Sequence, residues 1–193
     1  DVISYFDGAL KSRQAVTRIN DNFRAIVGET IYDHIGRPAI NVLPVPVGLS
    51  NCSLVLGGLT NATPLKYYEN FNNNLNSTSG NLYPYTYLDF DLSPGAQDCD
   101  IAVGPMSTLS GASNYYSSSN EQKSSGFNSY IPAAKRFPFS VTEYMPDNTN
   151  QIRRQGGVGL QLQLDNSISD RSTKYLYGQP SQPQLDRLFG SEV

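Results

Sequence analysis

Hydrophobic and polar positions alternate along residues 1–47 in the way that is typical of β-strands joined by tight turns. The runs VISYFDGALKSRQAVTRI and IVGETIYDHIGRPAINVLP each carry an aromatic residue, then an aspartate and then a glycine. An aspartate side chain accepts hydrogen bonds from the amides that follow it, and glycine tolerates the positive φ that closes a hairpin. The residues expected to set the geometry of these two hairpins are Tyr5, Asp7, Gly8, Tyr32, Asp33, Gly36 and Arg37.

A helix is the rival interpretation for Leu10 to Tyr32, where apolar residues also recur at helical spacing. The polar cluster at 20–22 and the β-branched pairs of this run favour a strand, a turn and a second strand. Pro44 and Pro46 are then expected to end regular pairing, because proline cannot donate to a strand ladder.

The remainder of the chain divides into a loop-rich insertion region, 48–130, and a second strand-forming region, 131–193. Glycine, asparagine and serine dominate the first, so its short apolar pieces are expected to be ordered only by packing on something larger. In the second, a strand from Phe137 to Tyr144 and a turn at 146–148 precede a glycine-dense stretch. Ser181 is expected to cap a short helix, Gln182 to Phe189, that ends at Gly190. The glycines expected to turn the sheet are Gly156, Gly157 and Gly159.

Composition supports a mainly β chain and excludes two classes of partner. Thirteen tyrosines and eight phenylalanines without tryptophan suit amphipathic strands, and only 16% of the residues are charged. A net charge of −3 gives no basic footprint for nucleic acid, and the pairs Lys135-Arg136 and Arg153-Arg154 are expected to be solvated turn residues. No apolar run approaches the ~18 residues that cross a membrane. We therefore predict neither a nucleic-acid partner nor membrane insertion.

Two clusters of potential ligands lie in the insertion region. Asp89, Asp91, Asp98 and Asp100 could supply hard oxygen ligands to calcium, although their spacing is not that of an EF-hand, and solvated loop carboxylates are the alternative. Cys52 and Cys99 could form a disulfide in an exported protein, or remain as two reduced thiols. No other cofactor is predicted.

Catalytic motifs find little support. The GGVG stretch lacks the Lys-Ser/Thr ending of a phosphate-binding loop, so a structural bend is the better interpretation. His34 follows Asp33 inside a predicted turn, where the aspartate is expected to serve the turn rather than catalysis. The Asn-x-Ser/Thr sequons at Asn51, Asn61 and Asn76 are of the kind that chance supplies in an Asn- and Ser-rich chain. An independent hydrolase is thus the least supported function.

Several segments together resemble a known family. YFDGALKSRQAVTRIN, GETIYDHIGRPAINVLPVP, LKYYENFN, SGASNYYS, FPFSVTEYMPDNTNQIRRQGGVG, TKYLYGQP and QLDRLFGSEV look like conserved blocks of very large bacterial RHS/YD-repeat surface and toxin proteins. The resemblance implies a mainly β fold, in which YD-repeat hairpins form part of a spiralling sheet shell with long loops. In that family the shell encloses a C-terminal toxin or effector. The self-cleaving aspartates of the family's C-terminal core find no match here.

We therefore expect residues 1–193 to be a single, non-catalytic segment of a longer exported polypeptide, secreted or at the cell surface. Its expected partners are the remainder of the shell, the enclosed toxin or effector, and export or surface-assembly machinery. The alternative is a surface adhesin or glycan-binding β module that uses tyrosine pairs such as Tyr67-Tyr68 and Tyr115-Tyr116 to stack on sugar rings.

Overall fold

A computed structural model describes residues 1–19, 24–48, 65–69, 71–75, 79–90, 103–124, 126–147, 149–165 and 170–190. Within them the chain is mainly β, as predicted. A seven-stranded sheet has the order β1-β2-β3-β4-β7-β8-β9, and every neighbouring pair in it is antiparallel. Its strands are β1 (Val2–Phe6), β2 (Ser12–Arg18), β3 (Arg24–Tyr32), β4 (Pro38–Gly48), β7 (Phe139–Tyr144), β8 (Ile152–Gly156) and β9 (Thr173–Lys174).

The first four strands form a meander in which consecutive strands pair. In the described part of Leu10 to Tyr32 the chain forms strand rather than helix: Val16 lies opposite Val27 in the β2–β3 ladder. The predicted turn at 20–22 lies outside the described residues. The β-branched residues pack on a pleated surface better than on a helix, where their side chains crowd the preceding turn. The strand interpretation is confirmed.

The prediction for Pro44 and Pro46 was wrong. Strand β4 continues through both prolines to Gly48, and Pro46 lies opposite Ile26 of β3. Strand β7 pairs with β4 only as far as Val42, and the Leu43 N–H still donates to the Pro138 carbonyl at 2.8 Å. At the two prolines that side of β4 has no strand partner among the described residues, and proline is tolerated there. The register between β3 and β4 also shifts next to Pro44. Such a shift interrupts regular pairing locally but does not end the strand.

The insertion region packs on the sheet of this same chain. Its described part contains a small antiparallel sheet of β5 (Asn73–Leu75) and β6 (Leu82–Pro84) and the short helix α1 (Gly111–Tyr115). Its aromatic and aliphatic side chains form one buried cluster with those of the large sheet. Each fully buried apolar side chain of this kind stabilises the folded state by roughly 1.5–3 kcal/mol. The short apolar segments of the insertion region are therefore ordered by packing on the large sheet of the same chain. From the insertion region the cluster takes Tyr68, Phe71, Tyr85, Phe90, Val103, Met106 and Ala112.

The helices in the described residues are short. Helix α2 (Gln182–Phe189) has the predicted bounds, with the Ser181 N–H donating to Gln184 Oε1 at 2.9 Å and Gly190 following it at φ +88°. Helix α1 was not predicted. Short 3₁₀ segments occur at Tyr87–Phe90, Glu121–Ser124, Gly126–Tyr130 and Leu160–Leu162.

Candidate functional site: the aspartate turns

Three hairpin turns lie at one end of the large sheet. We call them turn A (Asp7–Lys11), turn B (Asp33–Arg37) and turn C (Met145–Gln151); they join β1 to β2, β3 to β4 and β7 to β8. In an antiparallel sheet each hairpin reverses the chain, so the first and third connections of a meander share one end. Since β7 runs antiparallel to β4, turn C lies at that end as well.

Turn B is organised by the Asp33 carboxylate. Its Oδ1 accepts hydrogen bonds from the amides of Ile35, Gly36 and Arg37 at 3.0, 2.7 and 2.8 Å, and its Oδ2 accepts one from Arg37 Nε at 2.7 Å. The Asp33 N–H donates to the Arg37 carbonyl, and the Gly36 N–H to the Asp33 carbonyl, both at 2.9 Å. Gly36 has φ +93°, the expected positive value.

Turn A repeats this backbone pattern. The Asp7 N–H donates to the Lys11 carbonyl at 2.9 Å and the Leu10 N–H to the Asp7 carbonyl at 3.0 Å. Asp7 Oδ1 accepts from the amides of Ala9 and Lys11, both at 2.9 Å. The two turns therefore have one geometry, with an aspartate first and a left-handed residue fourth.

The role expected of Gly8 was wrong. The residue with positive φ in turn A is Leu10, at +59°, whereas Gly8 is not among the residues with positive φ. Glycine occupies the second position of turn A but the fourth position of turn B. The left-handed conformation is required at the fourth position, so Gly8 does not supply it and a leucine bears the steric cost.

Side chains connect each turn to the next. Lys11 of turn A lies against Gly36 of turn B, with its Nζ 5.7 Å from the centre of the Tyr32 ring, and the Tyr32 hydroxyl donates to the Ser12 carbonyl at 2.9 Å. On the other side, the Arg37 guanidinium lies 4.3 Å from the centre of the Tyr144 ring, next to turn C. These contacts make the row of turns one connected surface.

Turn C is built differently. The Met145 N–H donates to the Gln151 carbonyl at 2.8 Å, and Asp147 Oδ1 accepts from the amide and hydroxyl of Thr149 at 3.1 and 2.7 Å. The left-handed residue is Asn150, at φ +60°. Asparagine tolerates this conformation better than most residues, so Asn150 is itself a turn signal in the sequence.

The aspartates of turns A and B are held as anions. Burial alone would raise the pKa of Asp33, but hydrogen bonds from the Arg37 and Gly36 amides and from the Arg37 guanidinium, with its charge, hold that pKa below its usual value. The hydrogen bond from the Lys11 amide is the main cause that lowers the pKa of Asp7. An anion engaged by amides and a guanidinium is suited to fixing a turn, not to accepting a substrate proton near neutral pH.

His34 is exposed at the tip of turn B. Its ring centre lies 6.1 Å from that of Tyr87, while both oxygens of Asp33 are engaged by Arg37 and the turn amides. The geometry of a catalytic dyad, in which a carboxylate orients the imidazole, is not formed by these two neighbours.

The predicted glycine bend allows close packing. A Cβ on Gly156 would approach the Leu164 nitrogen to 3.0 Å, and one on Gly157 would lie 3.2 Å from the Leu162 Cβ. Gln163 Nε2 fills the space beside them, donating to the carbonyls of Phe139 and Gly157 at 2.7 and 2.6 Å. Gly159 has φ +90°. Gly156 and Gly157 thus let the 160–164 segment approach β7 and β8, whereas Gly159 supplies the positive φ of the bend.

The prediction that Arg153-Arg154 is a solvated turn pair was wrong. Both residues lie in β8, and only 4% of the Arg154 side chain is exposed. Glu143 accepts from Arg153 Nη1 at 2.7 Å and from Arg154 Nε at 2.6 Å, and Asp170 lies 3.7 Å from Arg154 Nη1. The compensating acids are distant in sequence, so the pattern of charges did not reveal this network. Lys135 and Arg136, by contrast, are exposed.

A second polar cluster, also missed, fastens the insertion region to the sheet. Buried Gln14 of β2 accepts from the Tyr68 amide at 2.8 Å and donates to the Tyr68 carbonyl at 3.2 Å, so its side chain pairs like a strand backbone. Asn72 Nδ2 donates to Glu29 at 2.6 Å, and Asn72 Oδ1 accepts from the Ala112 amide at 2.9 Å. Burial raises the pKa of Glu29, an effect that the Asn72 hydrogen bond and the Arg13 charge partly oppose.

Of the four calcium candidates only Asp89 is among the described residues. Its Oδ1 accepts from Tyr83 Oη at 2.7 Å and Asn74 Nδ2 at 3.2 Å, and its Oδ2 accepts from the Thr86 amide and hydroxyl at 2.8 and 3.0 Å. These bonds use the oxygens that a metal ion would need. The described residues contain no group of three or more His, Cys, Asp or Glu that could hold a metal. The other predicted ligands lie outside the described residues: Asp91, Asp98, Asp100, Cys52 and Cys99.

The tyrosine pairs of the alternative function make packing contacts. Tyr67 packs edge-on against Tyr5 with ring centres 5.6 Å apart, while Tyr68 is buried. Tyr115 and Tyr116 pack edge-on against each other at 4.9 Å, and the Tyr116 hydroxyl donates to the Pro44 carbonyl at 2.7 Å. Packing of loop and helix residues on the sheet thus engages these rings, although Tyr67 remains 44% exposed.

Neither a family model nor a curated protein sequence matches this chain. In the described parts of the chain we find no helix of the length and apolarity that crossing a membrane requires.

Proposed function

We propose that this chain is a non-catalytic structural segment of an exported RHS/YD-repeat protein, whose β-shell encapsulates a C-terminal toxin or effector. The observation that carries the proposal is the repetition of one turn. Turns A and B have the same main-chain hydrogen bonds, begin with an aspartate and lie at the same end of one sheet. A hairpin unit that repeats at constant geometry can extend a sheet indefinitely, which is what a shell requires.

The contacts between turns support a mechanical role. Lys11 and Arg37 each extend from one turn to the next, so that the turns reinforce one another along the sheet end. In the proposed shell the row of turns would continue into neighbouring hairpins. The partners are the remainder of the shell, its cargo and the export or surface-assembly machinery, and the location is secreted or at the cell surface.

Protection of the cargo in the complete parent protein tests this proposal. Asp33→Ala should loosen the shell and expose the C-terminal domain to added protease, since it removes the acceptor for three amides and Arg37. His34→Ala is the matched control, because it changes an exposed residue of the same turn and should leave protection intact. If His34→Ala abolished the parent's activity while its folding and cargo protection were unchanged, the non-catalytic assignment would be overturned.

The adhesin alternative predicts a different result. The isolated chain should then bind particular glycans, and substitution of exposed tyrosines such as Tyr130, which is 82% exposed, should remove that binding. Specific glycan binding by the isolated chain, combined with a parent that carries no further Tyr-Asp hairpins, would replace the shell proposal.

A further inference from the structure

Strand β1 is an end strand of the large sheet and lacks two common protections of an edge, charged residues and proline. It pairs with β2 alone, and its sequence VISYF contains no charge and no proline. Val2, Ile3 and Phe6 are 64%, 37% and 59% exposed. Natural edge strands are commonly blocked by charged residues, proline or bulges. The β1–β2 ladder shifts register between Tyr5 and Phe6, but the extra residue is Arg13 of β2, so β1 itself keeps an unbroken run of five residues to which another strand can add.

The hydrogen bonds to β2 determine which backbone groups of β1 face outward. The Arg18 N–H donates to the Asp1 carbonyl, so residues 1 and 18 form a hydrogen-bonded pair. Because such pairs alternate along an antiparallel ladder, Ile3 and Tyr5 also face β2. Beyond the register shift the Asp7 N–H donates to the Lys11 carbonyl, so the alternation continues through Phe6. The N–H and C=O groups of Val2, Ser4 and Phe6 therefore point away from β2.

The outward-facing residues Val2, Ser4 and Phe6 are arranged symmetrically about Ser4 along the strand. We propose that two copies of the chain pair through β1 in antiparallel orientation, with a two-fold axis at Ser4. Ser4 then exchanges both hydrogen bonds with Ser4 of the second copy, and Val2 does so with Phe6 of that copy. All outward groups of β1 are satisfied, and the two sheets become one continuous sheet.

The side chains match in the same register. Val2 and Phe6 of opposite copies lie across from each other on one face, and Ile3 and Tyr5 do so on the other. Both are pairs of a β-branched with an aromatic residue, a combination that stabilises antiparallel ladders. A shift by one residue would set outward groups against inward ones, so the backbone and the side chains select the same alignment.

The small area predicts that the dimer is weak. Five residues from each copy are far fewer than the roughly 20–30 a side of a standard stable interface, so the pairing should appear only at high protein concentration.

The proposal does not rest on the shell function. In a shell the β1 edge would carry a neighbouring strand, so a second copy and that strand would compete for one surface. Self-association of the isolated 193-residue chain and cargo protection in the parent are separate measurements, and failure of either leaves the other intact.

Sedimentation equilibrium over a wide concentration range tests the pairing with a matched pair of charge variants. Ser4→Lys places two ammonium groups across the two-fold axis and should lower the association constant at least about tenfold. Ala15→Lys adds the same charge to the exposed residue opposite Ser4 on β2, one strand further from the axis, and should dimerise like the native chain. Ser4→Pro should also abolish the dimer without disturbing the β1–β2 ladder, because the amide it removes faces outward.

Amide exchange locates the interface. With rising concentration, exchange should slow at the amides of Val2, Ser4 and Phe6, while Ile3 and Tyr5 are already protected by β2. Strictly monomeric native chain at all concentrations would overturn the proposal. So would a Ser4→Lys variant that dimerises as well as Ala15→Lys, or concentration-dependent protection that spares these three amides.

Discussion

Turns A and B reach the same backbone conformation with different residues. In turn B a glycine occupies the left-handed fourth position, and in turn A that position holds Leu10 at φ +59°. What the turns share is the first residue, an aspartate whose carboxylate binds the amides two and four positions on. The comparison teaches that the aspartate defines this turn, whereas the glycine only lowers its cost.

The two aspartates nevertheless differ in surroundings. Asp33 is buried between β3 and β4 and is paired with Arg37, and Arg37 also packs on Tyr144. Asp7 lies beside the sheet's edge strand, and Lys11 is directed toward the neighbouring turn instead. Turn B should therefore carry much more of the stability than turn A.

Removing the Asp33 or the Asp7 carboxylate should give the largest difference in stability between the two turns. Asp33→Ala removes the acceptor of four hydrogen bonds and leaves a largely buried guanidinium unpaired, so we expect a loss of about 2–3 kcal/mol in the free energy of unfolding. Asp7→Ala should cost clearly less, because water can replace its two amide bonds. Urea denaturation of both variants measures this, and equal losses would show that burial and Arg37 do not distinguish the turns.

The pH dependence of Asp33→Asn should be the next largest effect. A lowered pKa means that the contribution of the Asp33 charge is present above the unfolded value, about 3.9, and is lost as pH falls through the folded value. The native chain should exceed Asp33→Asn in stability near neutral pH, and the gap should close below about pH 4. Glu29, with a raised pKa, changes stability in the opposite sense, but it is common to both proteins and cancels in the difference. A gap that persists undiminished at pH 2 would contradict this account.

The two turn glycines should respond oppositely to alanine. Gly36→Ala puts a Cβ on a left-handed residue and against Lys11, and should cost about 1–2 kcal/mol. Gly8→Ala introduces a Cβ with nothing within 4 Å and restricts the unfolded chain, so it should gain roughly 0.4–1 kcal/mol. Thermal denaturation of the pair suffices, and a loss at Gly8 as large as at Gly36 would restore the glycine as the determinant of both turns.

The smallest effect is expected at the tip of turn B. His34→Ala should change the free energy of unfolding by less than about 0.5 kcal/mol, because the side chain is exposed and outside the hydrogen-bond network of the turn. Chemical denaturation at pH 7 measures it. A loss comparable to that of Gly36→Ala would give His34 a structural role that its position does not explain.

Local chemistry explains how much the sequence could predict. The strands of residues 1–47, the turn at Asp33 and the helix after Ser181 follow from β-branched residues, capping and an aspartate followed by glycine. These signals act within a few residues of one another.

The remaining features depend on contacts between distant residues. Gln14 pairs with Tyr68 across 54 positions, and Glu143 neutralises arginines ten and eleven residues away. Pro46 stays in a strand because β7 stops short of it, and Leu10 is left-handed because Asp7 and the β1–β2 ladder require it. No pattern within a single segment contains that information.

The conformation of Leu10 tests the central claim most directly, because leucine adopts it only when the aspartate turn imposes it. A residue with φ near +60° brings its own amide and α protons close together, so NMR should show a strong intraresidue HN–Hα Overhauser effect at Leu10, as strong as at Gly36. In Asp7→Ala the effect at Leu10 should weaken. A weak effect at Leu10 in the native chain, of the size seen in the adjacent strands, would contradict the claim that the aspartate, with or without glycine, determines both turns.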